Sequence, residues 1–517
     1  MSGNASEGAE KAPSLADRIT RPATSSWADE VSSPTGATPT KDTPSPLPAA
    51  QVDGTATILG GSGMMEDDDD GPIDLYYSDQ QKQRGLDNQD RRIIKTWEDL
   101  GLNPLLLKGL YSMSFLRPSN IQSQALPHLL LENPPPNMIG QSRSGTGKTG
   151  TFAITMLARL DFSKPNIPQA MCIAPTRELA IQIIGVIRTM GQYFVGQETL
   201  TLHSAVSPDP KDPNSPPPHR GPVNAMVVVG TPGTIEGLIK QRQLNTSQLR
   251  IVVLDEADQM LSSQGHGDSS LRIKRFTPPT AQVLLFSATF PENVNKFASF
   301  FCPDPMRLEL KVEELTVKGI KQMFVDCDSQ SGRDGQYETL VQLYGLTTIG
   351  QSIIFVKTRA TADAIERKLS EADHQVLKLH GGMLGSERDN AIQRFRNGEF
   401  KVLITTNVFA RGIDISAISL VINYDVPMKR LSPNGRDEVP DFETYLHRIG
   451  RTGRFGRTGL AISFVFDKPS FDALSAIGQY FGVEMTRLDL DDLDGAERLV
   501  KDIINKNLKE NQKAVSG

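Results

Sequence analysis

Two short strings put phosphate and metal chemistry in one chain: Ser142–Thr149 reads SRSGTGKT, and Asp255–Asp258 reads DEAD. In the first, Ser144, Gly145, Thr146 and Gly147 form a turn whose glycines let successive backbone N–H groups face a bound phosphate. Lys148 brings a point charge to the β and γ groups, and the Thr149 hydroxyl suits magnesium. In the second, Asp255 is placed to hold magnesium through water and Glu256 to orient or deprotonate an attacking water. Together they read as an apparatus for hydrolysing ATP, with ATP and Mg2+ as cofactors. A Gly-Lys-Thr string also arises by chance in loops, and two acids after a strand are often a polar turn. Their joint occurrence, each in the right flank, favours nucleotide chemistry.

The flanks are strands and helices. Asn137–Gly140 (NMIG) is a short apolar run, and Thr149–Leu160 has helix-forming composition, so the phosphate turn lies between a strand and a helix N-terminus, where a polyanion is best accommodated. Ile251–Leu254 (IVVL) puts the two acids at the carboxyl edge of a buried strand. From Trp97 to about Leu310, short apolar runs alternate with helix-length patterns, as in a parallel sheet covered on both faces. Strands are expected at Ala170–Ile173, Ala225–Val229 and Gln282–Phe286, and helices at Arg177–Met190 and Pro291–Phe300. The alternation restarts with strands at Gln322–Asp326, Ser352–Val356, Val376–Leu379, Lys401–Thr405 and Leu420–Asn423, and helices at Thr361–Glu371 and Ser386–Phe395. The fold class is therefore α/β, with two parallel-sheet lobes. The expected division is an N-terminal arm at 1–92, lobe 1 at 93–310, a hinge at 311–319, lobe 2 at 320–490, and an acidic segment with a C-terminal helix or tail at 491–517. The Pro-rich stretch Ser207–Pro222 reads as an exposed loop.

A chain of 517 residues is too long for one core and suits about three units, two of them compact. The arm is rich in Ser, Thr, Pro, Gly and Asp, with an acidic run at Glu66–Asp70, a composition that cannot bury enough surface to order itself. Within it Ile73–Tyr77 (IDLYY) reads as a solvated linker in preference to a short conditional element. A net charge of −6 argues against a chain coated with positive charge, so any nucleic-acid contact must be a local groove. No apolar run approaches a membrane span, and the opening MSGNASEGAEKAPSLADR has no charged-then-apolar leader, so neither a membrane span nor secretion is expected. Cys172, Cys302 and Cys327 are widely separated and read as ordinary buried thiols, not a zinc or disulfide framework.

Taken in order, these strings and several others resemble the DEAD-box RNA helicases, from Trp97 to about Met485. Trp97 followed by Ser114–Gln122 (SFLRPSNIQ) is similar to the family's adenine-reading segment; Phe115 would then flank the base and Gln122 bond its edge. Ser114 stands where the family usually has glycine. Pro175–Ala180 (PTRELA) and Thr231–Thr234 (TPGT) look like RNA-backbone contacts, through Pro175, Thr176, Arg177, Thr231, Pro232 and Gly233. The second string often ends in Arg, where this chain has Thr234. Ser287–Thr289 (SAT) resembles the coupling segment, with Ser287 and Thr289 bonding the DEAD carboxylates. In the second lobe the resemblance assigns RNA contact to Arg359, Gly381 and Thr405, and approach to the ATP ribose to Gly412 and Asp414. His447–Arg454 (HRIGRTGR) would supply Arg451 and Arg454 as a fork on the transferring γ-phosphoryl group and His447 as the link to the first lobe. The usual Asp of the TTxV string is Asn407. The resemblance implies two RecA-like lobes, RNA-stimulated ATP hydrolysis and local duplex opening.

Within the family, Ser262–Phe276, the TPGT ending, Asn407 and the insert Met428–Phe442 look most like the nuclear-pore-associated mRNA-export branch in a fungal version. That likeness implies single-stranded mRNA as substrate, removal of export proteins from it, and residence in nucleus and cytoplasm at the cytoplasmic face of the pore. It further implies a β-propeller nucleoporin on the first lobe, an inositol-hexakisphosphate-bound activator bridging the lobes, and a monomeric state. The alternatives are a translation-initiation helicase, which is usually shorter and lacks the insert, and a slow nucleotide-gated RNA clamp built from the same residues. A transporter ATPase or DNA motor is more distant.

Overall fold

A computed structural model describes residues 74–76, 93–141, 146–207, 212, 219–263, 265–309, 319–327, 332–346, 350–372, 374–407, 418–430, 437–453, 458–490, 492, 494–501 and 503. The first lobe is built on a sheet of β1 (Asp74–Tyr76), β2 (Asn137–Gln141), β3 (Ala170–Ile173), β4 (Leu202–Ala205), β5 (Val227–Gly230), β6 (Ile251–Leu254), β7 (Gln282–Ser287) and β8 (Pro305–Glu309). Their spatial order is β1-β8-β2-β7-β6-β3-β5-β4. Every pairing is parallel except β1 on β8. The central strands β3, β5, β6 and β7 are buried along their whole length, which is why they read as unbroken apolar runs and not as alternating ones.

Helices cover both faces: α1 (Pro104–Ser112), α2 (Asn120–Leu131), α3 (Lys148–Ala158), α4 (Arg177–Met190), α5 (Pro232–Lys240), α6 (Ala257–Ser262), α7 (His266–Arg275) and α8 (Glu292–Phe301). Two buried clusters flank the sheet, one around Trp97, Leu106, Phe152 and Ile187, the other around Ile235, Met260, Ile273 and Phe301. The order β2-β7-β6 sets the phosphate turn, the SAT segment and the DEAD segment side by side on one carboxyl edge. PTRELA and TPGT continue along it after β3 and β5.

The second lobe repeats the plan with β9 (Ile320–Asp326), β10 (Gln351–Phe355), β11 (Val376–Leu379), β12 (Val402–Thr405), β13 (Ile418–Asn423), β16 (Gly459–Val465) and β17 (Thr486–Arg487), ordered β11-β12-β10-β13-β16-β9-β17 and parallel throughout. Its helices are α9 (Gly332–Leu346), α10 (Arg359–Glu371), α11 (Gly385–Arg396), α12 (Phe442–Ile449) and α13 (Lys468–Phe481). The insert before α12 forms a hairpin of β14 (Met428–Arg430) and β15 (Glu438–Pro440).

Two expectations are corrected. The IDLYY stretch is not merely a linker: Asp74–Tyr76 pairs antiparallel with Arg307–Glu309, because β8 would otherwise end the sheet with an unpaired edge. The Pro-rich stretch is not wholly exposed, since Asp212 is buried. Beyond the second lobe's last strand, residues 494–501 are helical, and Ala496 and Val500 join the second lobe's core. Apart from Gly319, the hinge at 311–319 lies outside the described residues.

Candidate active site

The phosphate turn is held by close packing. Gly147 has φ 102°, a left-handed conformation that favours glycine, and a β-carbon there would lie 2.7 Å from Ser119 Oγ. Gly150, on the first turn of α3, lies as close to Gln122, whose Nε2 would be 2.6 Å from an added β-carbon. Gln122 is itself buried: its Nε2 donates to the Gly147 carbonyl (3.2 Å), and its Oε1 accepts from Ser119 N (2.8 Å) in a capping box for α2. Ser119 Oγ donates to the Thr146 carbonyl at 3.0 Å. The Ser114–Gln122 segment thus buttresses the turn. Trp97, fully buried, donates Nε1 to the Phe115 carbonyl at 2.8 Å and fixes that backbone, while the Phe115 ring is half-buried at the mouth of the site. Ser114 has φ 61°, which accounts for the family's glycine at this place. Lys148 is buried at the start of α3 and Thr149 half-buried beside it. Ser144 and Gly145 lie outside the described residues.

Across the carboxyl edge, Asp255 and Glu256 follow β6. Asp255 Oδ1 accepts from Glu256 N at 3.0 Å, and burial pushes its carboxyl up, opposed by the nearby charge of Lys148. Glu256 is a non-glycine residue at φ 51°, ψ 58°, and its Oε2 is buried with no hydrogen-bond partner among the described residues. A strained backbone aiming an unsatisfied buried carboxylate oxygen is unfavourable for stability and suits a group awaiting a reactant.

The SAT segment engages the last acid of the string. Thr289 Oγ1 donates to Asp258 Oδ2 (3.1 Å), and Ser287 Oγ accepts from Asp258 N (3.2 Å) while donating to the Thr289 carbonyl (2.8 Å). From the second lobe, His447 on α12 brings Nε2 to 3.2 Å from the same Asp258 Oδ2. Both side chains are essentially excluded from solvent, with relative exposures of 2% and 0%. The arginine-rich end of α12 is thereby pinned beside the DEAD segment.

The three arginines of HRIGRTGR separate by environment. Arg448 is fully buried, donates to Asn407 Oδ1, Asn423 Oδ1 and the Asp425 carbonyl, and sits over the Phe355 ring; burial lowers its pKa to about 10. It is a scaffold residue, and Asn407 is its partner. Arg451 is buried and donates Nε to the His447 carbonyl. Arg454 lies outside the described residues, as do Gly412 and Asp414.

A second junction joins the lobes through α4 and α11. Arg177 makes two parallel bonds to Asp389, both 2.8 Å, which raises the guanidinium pKa further; Glu178 Oε1 pairs with Arg388 at 2.7 Å. Ser386 N donates to Asp212 Oδ2 at 2.6 Å, and Arg396 donates to Gln182. Glu178, Arg388, Asp389 and Asp212 were not singled out in the sequence, because nothing in PTRELA or GSERD states that the two strings meet.

Along the expected RNA path, Thr176 caps α4, Thr231 opens α5, Gly233 is exposed, and Pro175 and Pro232 are buried beneath them. The Thr234 hydroxyl bonds those of Ser207 (2.8 Å) and Thr231 (3.2 Å). In the second lobe Arg359 and Gly381 are exposed and adjacent, with Arg359 Nη1 near Gly382. Thr405 is corrected: it is fully buried, and its hydroxyl donates to the Leu379 carbonyl at 2.8 Å, so it cannot meet RNA.

Two parallel-sheet lobes joined through a buried histidine–aspartate contact, one of them carrying the phosphate turn and the DEAD segment, define a two-lobed helicase core. The chain matches the DEAD/DEAH box helicase model over residues 119–297 and the helicase conserved C-terminal domain over 335–456. It belongs to the DEAD-box family of ATP-dependent RNA helicases, enzymes that hydrolyse ATP. Among similar proteins is the ATP-dependent RNA helicase dbp5 of Botryotinia fuckeliana, 52% identical over 482 residues, covering 93% of this chain and 97% of that one. Among solved structures, S. cerevisiae Dbp5 bound to RNA and ADP BeF3 superimposes with a TM-score of 0.72 at 48% identity, covering 80% of this chain and 100% of that one. A variant of the same yeast protein bound to Nup159, a Gle1 variant, IP6 and ADP gives 0.56 at 47% identity, covering 78% and 100%.

Proposed function

We propose that this chain is an RNA-stimulated ATPase that closes on mRNA, opens short duplex stretches and displaces bound proteins during export through the nuclear pore. The observation that carries the reading is the buried contact between His447 and Asp258. It joins the arginine-rich segment of one lobe to the DEAD segment of the other, which supports a site where groups from both lobes would meet at one nucleotide. Lys148, with the backbone of Ser144–Thr149, would bind the phosphates; Phe115 and Gln122 would hold the adenine, and Gly412 and Asp414 the ribose. Glu256 would take a proton from the attacking water. Arg451 and Arg454 would neutralise charge developing on the γ-phosphoryl group, and water would be excluded as the lobes meet.

The residues present suit magnesium. Asp255 and Thr149 are hard oxygen donors, and Asp255 is buried where a cation would offset the burial of its charge. Bound there, Mg2+ would neutralise phosphate charge.

RNA would run along the carboxyl edges, over Thr176, Arg177, Thr231 and Gly233 on one lobe and Arg359 and Gly381 on the other. Such contacts address the backbone, so sequence preference should be weak. The assignment to export rests on likeness to the dbp5 proteins. By that likeness the partners would be a nucleoporin of β-propeller form on the first lobe and an inositol-hexakisphosphate-bound activator across both, at the cytoplasmic face of the pore.

The test is steady-state ATP turnover without RNA, with single-stranded RNA, and with RNA plus a Gle1-type activator charged with inositol hexakisphosphate. Stimulation by RNA and further stimulation by the activator is expected. A rate indifferent to RNA rejects the composite site, and a rate indifferent to the activator rejects the export assignment.

A further inference from the structure

The contact between α5 and α7 contains a carboxylate that no step above uses. Ile235, Leu238 and Ile239 of α5 and Ile273 of α7 are buried, yet Glu236 lies among them with its side chain 7% exposed. Arg272 meets it as a fork, Nε to Oε1 at 2.6 Å and Nη2 to Oε2 at 3.0 Å, and the same Nη2 donates to Ser269 Oγ at 2.9 Å. Lys240, one turn further along α5, pairs with Oε1 at 2.5 Å. Only the carboxylate is buried, since the Arg272 side chain is 44% exposed, and an apolar side chain in its place would join the two helices as well. What the planar fork adds is a fixed register and orientation, which sliding apolar contacts do not define.

The two helices it ties together lead to different ligands. α5 begins at the Thr231–Gly233 turn. α7 follows α6, which starts at Ala257, the residue after Glu256. We propose that Glu236 is a positioning residue for RNA: through Arg272 it sets the RNA-facing end of α5 against the elements that carry the DEAD segment. The inference rests on the reading of Thr231–Gly233 as RNA contacts.

The experiment measures ATP turnover of the full chain against concentration of a single-stranded oligouridine, for the parent, Glu236→Gln, Arg272→Lys, the double variant and Thr231→Val. Glu236→Gln should raise the RNA concentration for half-maximal stimulation by about threefold or more, with the RNA-free rate and the rate at saturating RNA within about twofold of the parent. Arg272→Lys should do the same, and the double variant should add little to either. A brace serving stability alone would lower the melting temperature without this split. Should Glu236→Gln fail to fold, Arg272→Lys carries the test, since it keeps a cation beside Glu236. Unchanged half-saturation in the folded variants, or parallel loss of the RNA-free rate, overturns the inference. Thr231→Val separates the two readings. If it leaves half-saturation unchanged, α5 does not touch RNA and the proposal falls with that reading; if it raises half-saturation and Glu236→Gln does not, only the brace is rejected.

Discussion

Glu256 shows what a single residue contributes and what its spelling conceals. The acid was legible, since two carboxylates after IVVL stand at a strand end; its left-handed backbone, and an Oε2 without a partner among the described residues, were not, because both depend on the folded surroundings of the turn into α6. Glu256→Gln removes the proton acceptor while keeping the size. Turnover with RNA should fall by about a hundredfold or more, while binding of ATP and of RNA in its presence persists, checked by fluorescent-nucleotide titration. Retained turnover would strip Glu256 of its role. Arginines are the opposite case: in HRIGRTGR they look alike, and since Arg448 and Arg451 are both buried, the bonds of Arg448 to Asn407, Asn423 and Asp425 are what identify it as scaffold. Thr405 failed for the same reason, its hydroxyl being turned inward to Leu379.

At the scale of elements, the central strands were legible because burial on both faces writes them as apolar runs such as Ile251–Leu254, and the phosphate turn because its flanks are a strand and a helix. The first lobe's edge strands were not: β4 reads LHSA, and β1 is three residues that acquire meaning only beside β8. Contacts between α4 and α11 were equally hidden, since Arg177 and Asp389 are 212 residues apart. Because Asp389 is 40% exposed, their pair is screened. A double-mutant cycle of Arg177→Ala and Asp389→Ala should give a coupling of about 0.5–1 kcal/mol, read as a roughly two- to fivefold effect on nucleotide affinity with RNA bound. Strict additivity would show the junction to be incidental. For α5 and α7, Arg272 holds the Glu236 carboxyl at about 2, below its usual 4.5. The folded state therefore binds fewer protons than the unfolded one in this window. The stabilisation is complete above about 4.5 and is lost as pH falls toward 2. Thermal melts of the parent and Glu236→Gln should accordingly differ at neutral pH and converge under acid; a gap that persists at low pH would contradict the pairing.

For the whole molecule, duplication of the parallel-sheet plan was evident from the restarted alternation, and the second lobe's lack of a phosphate turn pointed to a division of labour. How the lobes meet was not evident, for it rests on contacts between residues far apart in the chain: His447 on the Asp258 Oδ2 that Thr289 also bonds, and Arg177 on Asp389. The proposed site, assembled from two bodies, would make ATP and RNA reciprocal ligands: each would favour the closed arrangement, and each should raise the other's affinity by the same factor. The central claim is that a second-lobe arginine acts on nucleotide held by the first lobe. It is tested most directly by the ATP turnover of full-length Arg451→Ala and Arg451→Lys at saturating ATP, with and without single-stranded RNA. The RNA-stimulated rate should fall at least about tenfold toward the RNA-free rate in both variants, the lysine lacking the planar fork. RNA stimulation of parental size in a folded Arg451 variant would contradict the composite site.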